Sequence, residues 1–482
     1  MKIMEGANIK ESIKAGVTMK GMVLRWATLL LLAGSVCMWS GCGGSSDSGS
    51  SSNSSGGSSS GGSSSSSNVI TGATIYAAYK LDGGTNSTTD TAYNATAADT
   101  SAIYVTNGGT LTLTDPTITT SGDSSSTENS SFYGLNAAVL ADGGSTLTMN
   151  GGTITTSGSG ANGAYSYGSG TTVTISDATI NATGGGGHGV MAVGGGTMIL
   201  NNVTQETWGA SSSVIALDKG GGTITVTGGT ATAHGQNSAA LYSTGVLTVT
   251  DSTLLTSDGA EAAVIEGSNS ITVTDSNLSS TYPNKWGVML YQSGSGDASG
   301  TDGYFTMTGG SLSYVATSYN TYGGPLLYNT NSTAYWSLSG VTATAGSGIF
   351  LKACKCDWGN STAASAGGVS YLDADDQTMV GDLVVDDDGS ITASLTNSSS
   401  LTGAINEDNY DGTVSLTLDS TSSWTATATS YVDTLNGVVL SGTTATNIIG
   451  SATIYYSTGT DSNGNALSGN YTLLGGGTLK QI

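Results

Sequence analysis

The feature that most constrains the fold of this chain is a repeat of about 25 residues that begins near residue 100. Each unit contains a segment in which threonine alternates with an apolar residue, as in the sequence TLTLT at 110–114. This alternation has the period of a β-strand that buries one face and exposes the other. The same pattern recurs at 146–149, 172–175, 223–227, 247–250, 271–274 and 304–308.

Each unit also carries two shorter apolar segments. A patch such as 138–140 (AVL) precedes the alternating strand, and a strand around one apolar residue, such as Ile154, follows it. Three short strands per unit cannot bury their own apolar sides and must stack on neighbouring units. The repeat therefore predicts an all-β fold, a right-handed single-stranded parallel β-helix with three short strands per coil. Two longer repeat spacings predict insertions near 121–131 and 292–303.

We expect the β-helix domain to cover 69–482. Its predicted parts are an N-terminal cap at 69–100, regular coils at 101–345, and C-terminal coils at 346–482, where the repeat becomes less regular.

The N-terminus predicts export. An apolar run at 26–38 follows Lys20 and Arg25 and is too short for a membrane span, as expected of a signal peptide at 1–41. The start of translation stays open between Met1, Met19 and Met22.

The sequence Ser40-Gly41-Cys42 then resembles the lipobox of bacterial lipoproteins. The resemblance implies a lipid on Cys42, followed by a flexible Ser/Gly linker at 42–68. It also implies a protein anchored by its lipid at the outer membrane or cell surface.

The charge excludes nucleic acid as a partner. The chain has 11 Lys+Arg against 34 Asp+Glu and a net charge of −23, whereas phosphate binding requires clustered cations. We expect surface glycans or proteins as partners instead.

The C-terminal coils carry a family resemblance. The segments 400–406 (SLTGAIN) and 415–419 (SLTLD), followed by Trp424 and Tyr431, resemble the last coils of autotransporter β-helix passengers, the pertactin-type adhesins. The looser repeat resemblance covers about 100–440. Such coils carry adhesins, autoagglutinins and a few hydrolases, and of these we expect a non-catalytic surface protein that works by adhesion. The chain ends without the membrane domain of autotransporters, so the lipid on Cys42 is expected to replace that anchor.

Aromatic residues are concentrated at 282–336, with 11 in 55 positions, where the chain average is 7%. Exposed tyrosine and tryptophan rings stack on sugars and anchor protein interfaces. The alternative is that they fill wider coils. We predict six candidate ligand contacts: Trp286, Tyr291, Tyr314, Tyr319, Tyr322 and Tyr328.

The main alternative is a polysaccharide hydrolase or lyase, since such enzymes share the fold. The tripeptide around His188 matches one in polygalacturonases, but the rest of that motif is missing. Asp218 and Glu266 lie two coils apart, about 10 Å on one face, a separation suited to an inverting glycosidase. Exposed acids at turns are the simpler interpretation, and we assign no catalytic residue.

Cys354 and Cys356 are the remaining thiols, and in an exported protein they predict a disulfide, with each other or with another chain. The acidic segments 386–389 and 461–465 look like fragments of calcium loops but lack the final glutamate. Weak Ca²⁺ binding is therefore an alternative to diffuse attraction of cations. No metal site and no cofactor are assigned.

A remote alternative is ice binding by an outward column of threonines, although threonine is also a common outward strand residue. The column is interrupted at Ile199 and contains Thr112, Thr148, Thr174, Thr225, Thr248, Thr272 and Thr306.

Overall fold

The computed structural model describes residues 74–482 except 284, 294–297, 316–323 and 356–366. These residues form a parallel β-solenoid of about 15 turns, with three parallel sheets and about 25 residues per coil. The fold class and coil length predicted from the repeat are therefore confirmed. The signal peptide, Cys42 and the linker lie outside the described residues.

Sheet A contains the apolar patches, and its twelve strands pair in parallel from each coil to the next. They are β1 (Tyr76–Asp82), β4 (Thr100–Thr106), β7 (Val139–Ala141), β10 (Ala164–Tyr167), β13 (Val190–Val193), β16 (Ile215–Leu217), β19 (Leu241–Ser243), β22 (Ala263–Glu266), β25 (Val288–Tyr291), β28 (Leu327–Thr330), β31 (Ile349–Cys354) and β34 (Asp382–Val385).

Sheet B contains the threonine-alternating strands. They are β2 (Thr85–Thr89), β5 (Thr110–Thr114), β8 (Thr146–Asn150), β11 (Thr172–Ser176), β14 (Gly196–Asn201), β17 (Gly222–Thr227), β20 (Val246–Thr250), β23 (Ser270–Thr274), β26 (Asp302–Thr308), β29 (Thr333–Ser339), β32 (Val369–Asp375), β35 (Ser390–Thr396), β37 (Thr413–Leu418), β39 (Ser430–Val438), β42 (Thr453–Asp461) and β44 (Thr478–Gln481).

Sheet C contains the third strand of each coil. It is formed by β3 (Ala92–Ala95), β6 (Thr117–Thr120), β9 (Thr153–Thr156), β12 (Thr179–Ala182), β15 (Thr204–Thr207), β18 (Thr230–Ala233), β21 (Leu254–Ser257), β24 (Asn277–Ser280), β27 (Ser311–Tyr314) and β30 (Thr342–Ala345).

The C-terminal coils add a further parallel column and two antiparallel pairings. The column is β33 (Thr378–Val380), β36 (Ser400–Thr402), β38 (Ser423–Thr425), β41 (Thr444–Ile449) and β43 (Asn470–Leu474). The short strand β40 (Leu440–Ser441) pairs antiparallel with β41. At the end of the chain, β43 pairs antiparallel with β44.

The apolar residues of the alternating strands form the core. They pair in register across successive coils, as in Leu111–Leu147–Val173, and all three are fully buried. Each layer therefore buries a few side chains, and neighbouring layers complete the core. Phe305 and Trp336, adjacent in this same column, fill the wider coils.

One α-helix interrupts the described strands. Helix α1 (Thr127–Tyr133) lies between β6 and β7, within the first predicted insertion. Its N-cap is Ser126, whose side chain accepts a hydrogen bond from the backbone N–H of Asn129, and Gly134 ends it in the left-handed conformation.

The corners that follow six successive sheet C strands, β6 to β21, are glycines. A Cβ placed there would overlap the carbonyl oxygen of the residue one coil earlier, which is Ala97 below Gly122 and the preceding glycine of the column at the other five positions. This glycine column comprises Gly122, Gly158, Gly184, Gly209, Gly235 and Gly259.

Candidate functional surfaces

Three tyrosines form an exposed ladder on the outer face of sheet B. Tyr304, Tyr335 and Tyr371 pair in register on β26, β29 and β32. Their rings stack with centroids 4.8 Å and 5.1 Å apart and planes within 11° of parallel. They remain 45%, 36% and 40% exposed, respectively, so this tyrosine ladder is available for contact.

The ladder presents ring edges and hydroxyl groups, because the rings cover one another's faces. Partial desolvation within the stack, followed by the charge of Asp302, raises the pKa of Tyr335. Its hydroxyl therefore stays protonated at neutral pH and can donate a hydrogen bond. Asp302 and Asp373 lie exposed on the same face and supply acceptors beside the ladder. This combination of donors, acceptors and aromatic edges suits a polyhydroxylated or a protein surface.

Toward the N-terminus, the same face carries the predicted threonine column. Thr112, Thr148 and Thr174 pair in register on adjacent strands, and Ile199 continues the column in their place. These threonines are half-buried. The tyrosine ladder lies two residues before this column, at the next outward position, where Tyr304 pairs with Ser270.

Four of the six predicted contact aromatics are buried. Trp286 stacks on Tyr328 with centroids 4.2 Å apart, and both side chains are at most 2% exposed. Tyr314 and Tyr291 are also inaccessible. The prediction of an exposed surface at these four residues is wrong, because they pack inside the protein. Tyr319 and Tyr322 lie outside the described residues.

Sequence reasoning missed the tyrosine ladder although a signal was present. In each ladder strand a tyrosine occupies the outward position that Thr110, Thr146 and Thr172 hold in the early coils, and its neighbour, such as Phe305, points inward. The alternation along the strand therefore predicts that Tyr304 is exposed and Phe305 is buried. The local density of aromatic residues cannot make this distinction.

The predicted acid pair is buried rather than exposed. The pairing of β16 with β19 and of β19 with β22 places Asp218 and Glu266 in one column two coils apart, as predicted. Both side chains are at most 1% exposed, so neither the catalytic pair nor the solvated-acid interpretation holds.

Glu266 is held by a hydrogen-bond network. Its carboxylate accepts hydrogen bonds from Tyr242 Oη at 2.6 Å and Tyr291 Oη at 2.9 Å, and from the hydroxyl of Ser293. Asp142, three coils before Asp218 in the same column, accepts from Tyr104 Oη at 2.9 Å. Burial raises the pKa of Asp142. These hydrogen bonds offset the cost of burying the two acids on sheet A.

His188 is a buried structural residue. Its Nδ1 lies 3.0 Å from the carbonyl oxygen of Ser213, and its backbone N–H donates to Asn162 Oδ1. Burial lowers the pKa of His188, an effect that the Ser213 carbonyl and Asp218 partly oppose. With 1% of its surface exposed, the imidazole cannot meet a polysaccharide.

The two acidic segments use their carboxylates internally. Asp386 accepts hydrogen bonds from the backbone N–H groups of Lys355 and Asp388, and Asp461 accepts from those of Asn463 and Asn465. Across the described part of the chain, no three His, Cys, Asp or Glu side chains form a group that could hold a metal ion.

The predicted disulfide stays a prediction. Cys354 is buried and its Sγ lies 3.4 Å from Tyr328 Oη, while Cys356 falls outside the described residues. Within those residues, no helix has the length and apolar character needed to cross a membrane.

Comparison of the chain with protein-family models, with curated proteins and with solved structures found no match.

Proposed function

We propose that the chain is a non-catalytic, lipid-anchored surface protein that adheres to glycans or proteins through the tyrosine ladder of sheet B. The observation that carries the proposal is the exposed stack of Tyr304, Tyr335 and Tyr371 beside Asp302 and Asp373. Exposed aromatic residues with adjacent hydrogen-bonding groups are typical of contact surfaces.

Three further features support an adhesive role. The β-helix is stabilised by stacking within its core, so outward residues can vary without loss of the fold. The C-terminal segments resemble pertactin-type passengers, as noted above. The lipobox-like sequence at Cys42 and the Ser/Gly-rich segment after it would hold the β-helix away from a membrane surface.

The ladder is tested by measuring binding of the full chain to a glycan array and to immobilised surface proteins. The triple variant Tyr304→Thr, Tyr335→Thr, Tyr371→Thr is expected to weaken binding about tenfold or more, because it removes the aromatic contacts. The matched control replaces Thr112, Thr148 and Thr174 by serine on the same face and should bind like the native chain.

Two results would argue against this proposal. Equal binding by the ladder variant and the native chain would remove the ladder from the contact surface. Release of reducing or unsaturated ends from a polysaccharide panel would favour the enzyme alternative instead.

The anchor is tested separately by fractionating cells that express the full chain. Cys42→Ala is expected to move the protein from the membrane fraction to the soluble fraction and to abolish incorporation of a labelled fatty acid. Incorporation that persists in the variant would place the lipid elsewhere.

A further inference from the structure

A polar groove opens over the last strands of sheet A. Along most of this sheet the outward side chains are buried, but over β31 and β34 the structure leaves a cavity of about 330 Å³. Its functional groups belong to Lys352, Asp382, Asn406, Glu407, Asp408 and Tyr410.

The groove exists because sheet A ends there. After β34, the next coil makes a single bridge, between Leu383 and Ile405, and the chain then turns outward at 406–410. Asn406 closes this turn, since its Nδ2 donates to the Tyr410 carbonyl and its Oδ1 accepts from the Tyr410 backbone N–H, both at 3.0 Å. Asn406 is only 5% exposed. The turn is thus a preformed wall, which lowers the entropic cost of binding.

The turn at 406–410 and the strands β31 and β34 contribute different polar groups to the groove. Glu407 and Asp408 are exposed on the turn, and the Tyr410 ring is 44% exposed. Lys352 lies on β31 and supplies the ammonium group of the groove. On β34, Asp382 uses Oδ1 to accept the backbone N–H of Ala404 at 2.7 Å. Burial raises the pKa of Asp382, and that hydrogen bond partly offsets the rise.

This set of groups selects against anions. Three acids to one lysine, on a chain of net charge −23, repel an anion. A sugar hydroxyl both donates and accepts, so it can pair with the carboxylates and with the ammonium group. The apolar face of a sugar ring can pack on Tyr410.

We propose that this groove binds a neutral saccharide unit, with Tyr410 as its stacking platform and Lys352, Asp382 and Glu407 as hydrogen-bonding partners. The volume is near the lower end of ligand sites, about 300–1,000 Å³, and fits a mono- or disaccharide unit. The site is independent of the proposed adhesive function, because the tyrosine ladder lies on sheet B and the groove on sheet A.

The test titrates the full chain with neutral hexoses and their disaccharides, followed by calorimetry and by ligand-observed NMR. Tyr410→Ala is expected to weaken saccharide binding about tenfold or more, whereas Tyr410→Phe, which keeps the ring and the turn, should bind within about twofold of the native chain. Lys352→Met should weaken binding by a smaller factor. Circular dichroism melting establishes that each variant is folded.

The tyrosine ladder triple variant separates the two sites. If the groove is the saccharide site, this variant binds the free hexoses and disaccharides as the native chain does, whereas its adhesion to the glycan array and to immobilised proteins is weakened. The proposal is overturned if no neutral saccharide binds, if Tyr410→Ala binds as well as Tyr410→Phe, or if a uronic acid binds more tightly than its neutral parent sugar. Loss of saccharide binding in the ladder variant alone would assign the sugar to sheet B instead.

Discussion

Sheets A and B run through the same coils, yet their outer faces differ completely. The outward residues of sheet A, such as Tyr165, Met191 and Tyr242, are at most 5% exposed, whereas the ladder tyrosines of sheet B retain 36–45% of their surface. In both sheets the strands of neighbouring central coils pair in parallel, as β10 with β13 and β11 with β14 do. The difference therefore comes from what covers each face, and it teaches that strand periodicity alone does not identify the solvent-facing side.

Helix α1 accounts for part of the cover on sheet A. The hydroxyl of Tyr165 donates to the carbonyl of Ser131 in the helix, and the ammonium group of Lys219 lies 4.3 Å from the centroid of the Phe132 ring. Sheet A is thus packed on two sides near the helix. Its outward side chains contribute to stability there, while those of sheet B are free for contact.

The largest expected effect comes from truncating a covered aromatic residue. Tyr165→Ala should lower the free energy of unfolding by about 3–5 kcal/mol, because it opens a cavity and leaves the Ser131 carbonyl unpaired. Tyr371→Ala on sheet B should cost about 1 kcal/mol or less. Chemical denaturation measures both, and equal losses would show that the two faces do not differ in packing.

A smaller effect is expected from the buried carboxylate. Glu266→Gln should lower the free energy of unfolding by about 1–3 kcal/mol, because it replaces one of the two oxygens that accept hydrogen bonds from Tyr242, Tyr291 and Ser293 by an NH₂ group. Asp373→Asn on sheet B is the control and should not change stability beyond experimental error. If both variants unfold at the same denaturant concentration as the native chain, the network around Glu266 does not stabilise the fold.

The smallest effect is a pH dependence from His188. Burial lowers its folded-state pKa, so the unfolded chain binds the proton more readily. This contribution to stability is complete above the unfolded-state pKa of about 6.5 and is lost as the pH falls through the folded-state pKa. The free energy of unfolding should fall less between about pH 7.5 and about pH 5.5 in His188→Gln than in the native chain.

Ser213→Ala is the control for this pH dependence. It keeps the backbone carbonyl that faces the imidazole. The difference between its free energies of unfolding at the two pH values should therefore equal that of the native chain. A native-like pH dependence in His188→Gln would assign the effect to other groups.

The repeat was sufficient to predict the coil, the three strands and the inward residues of sheet B, because each depends on local periodicity. It did not locate the cover on sheet A, which depends on where an inserted segment packs. One available signal was overlooked, since unbroken apolar strands such as Val190–Val193 are typical of sheets buried on both faces. The partners of Glu266 come from coils on either side of it, and no local pattern reveals them.

The glycine column limits how such a chain can change its length during evolution. Each glycine of the column must lie directly above a backbone carbonyl one coil earlier, so an insertion or deletion within a coil would place a side chain where only hydrogen fits. Duplication of one complete coil avoids this problem, because the new copy brings its own glycine and meets identical neighbours. Growth by whole repeats is therefore tolerated, while shorter changes are confined to loops that leave the column intact, such as the segment containing helix α1.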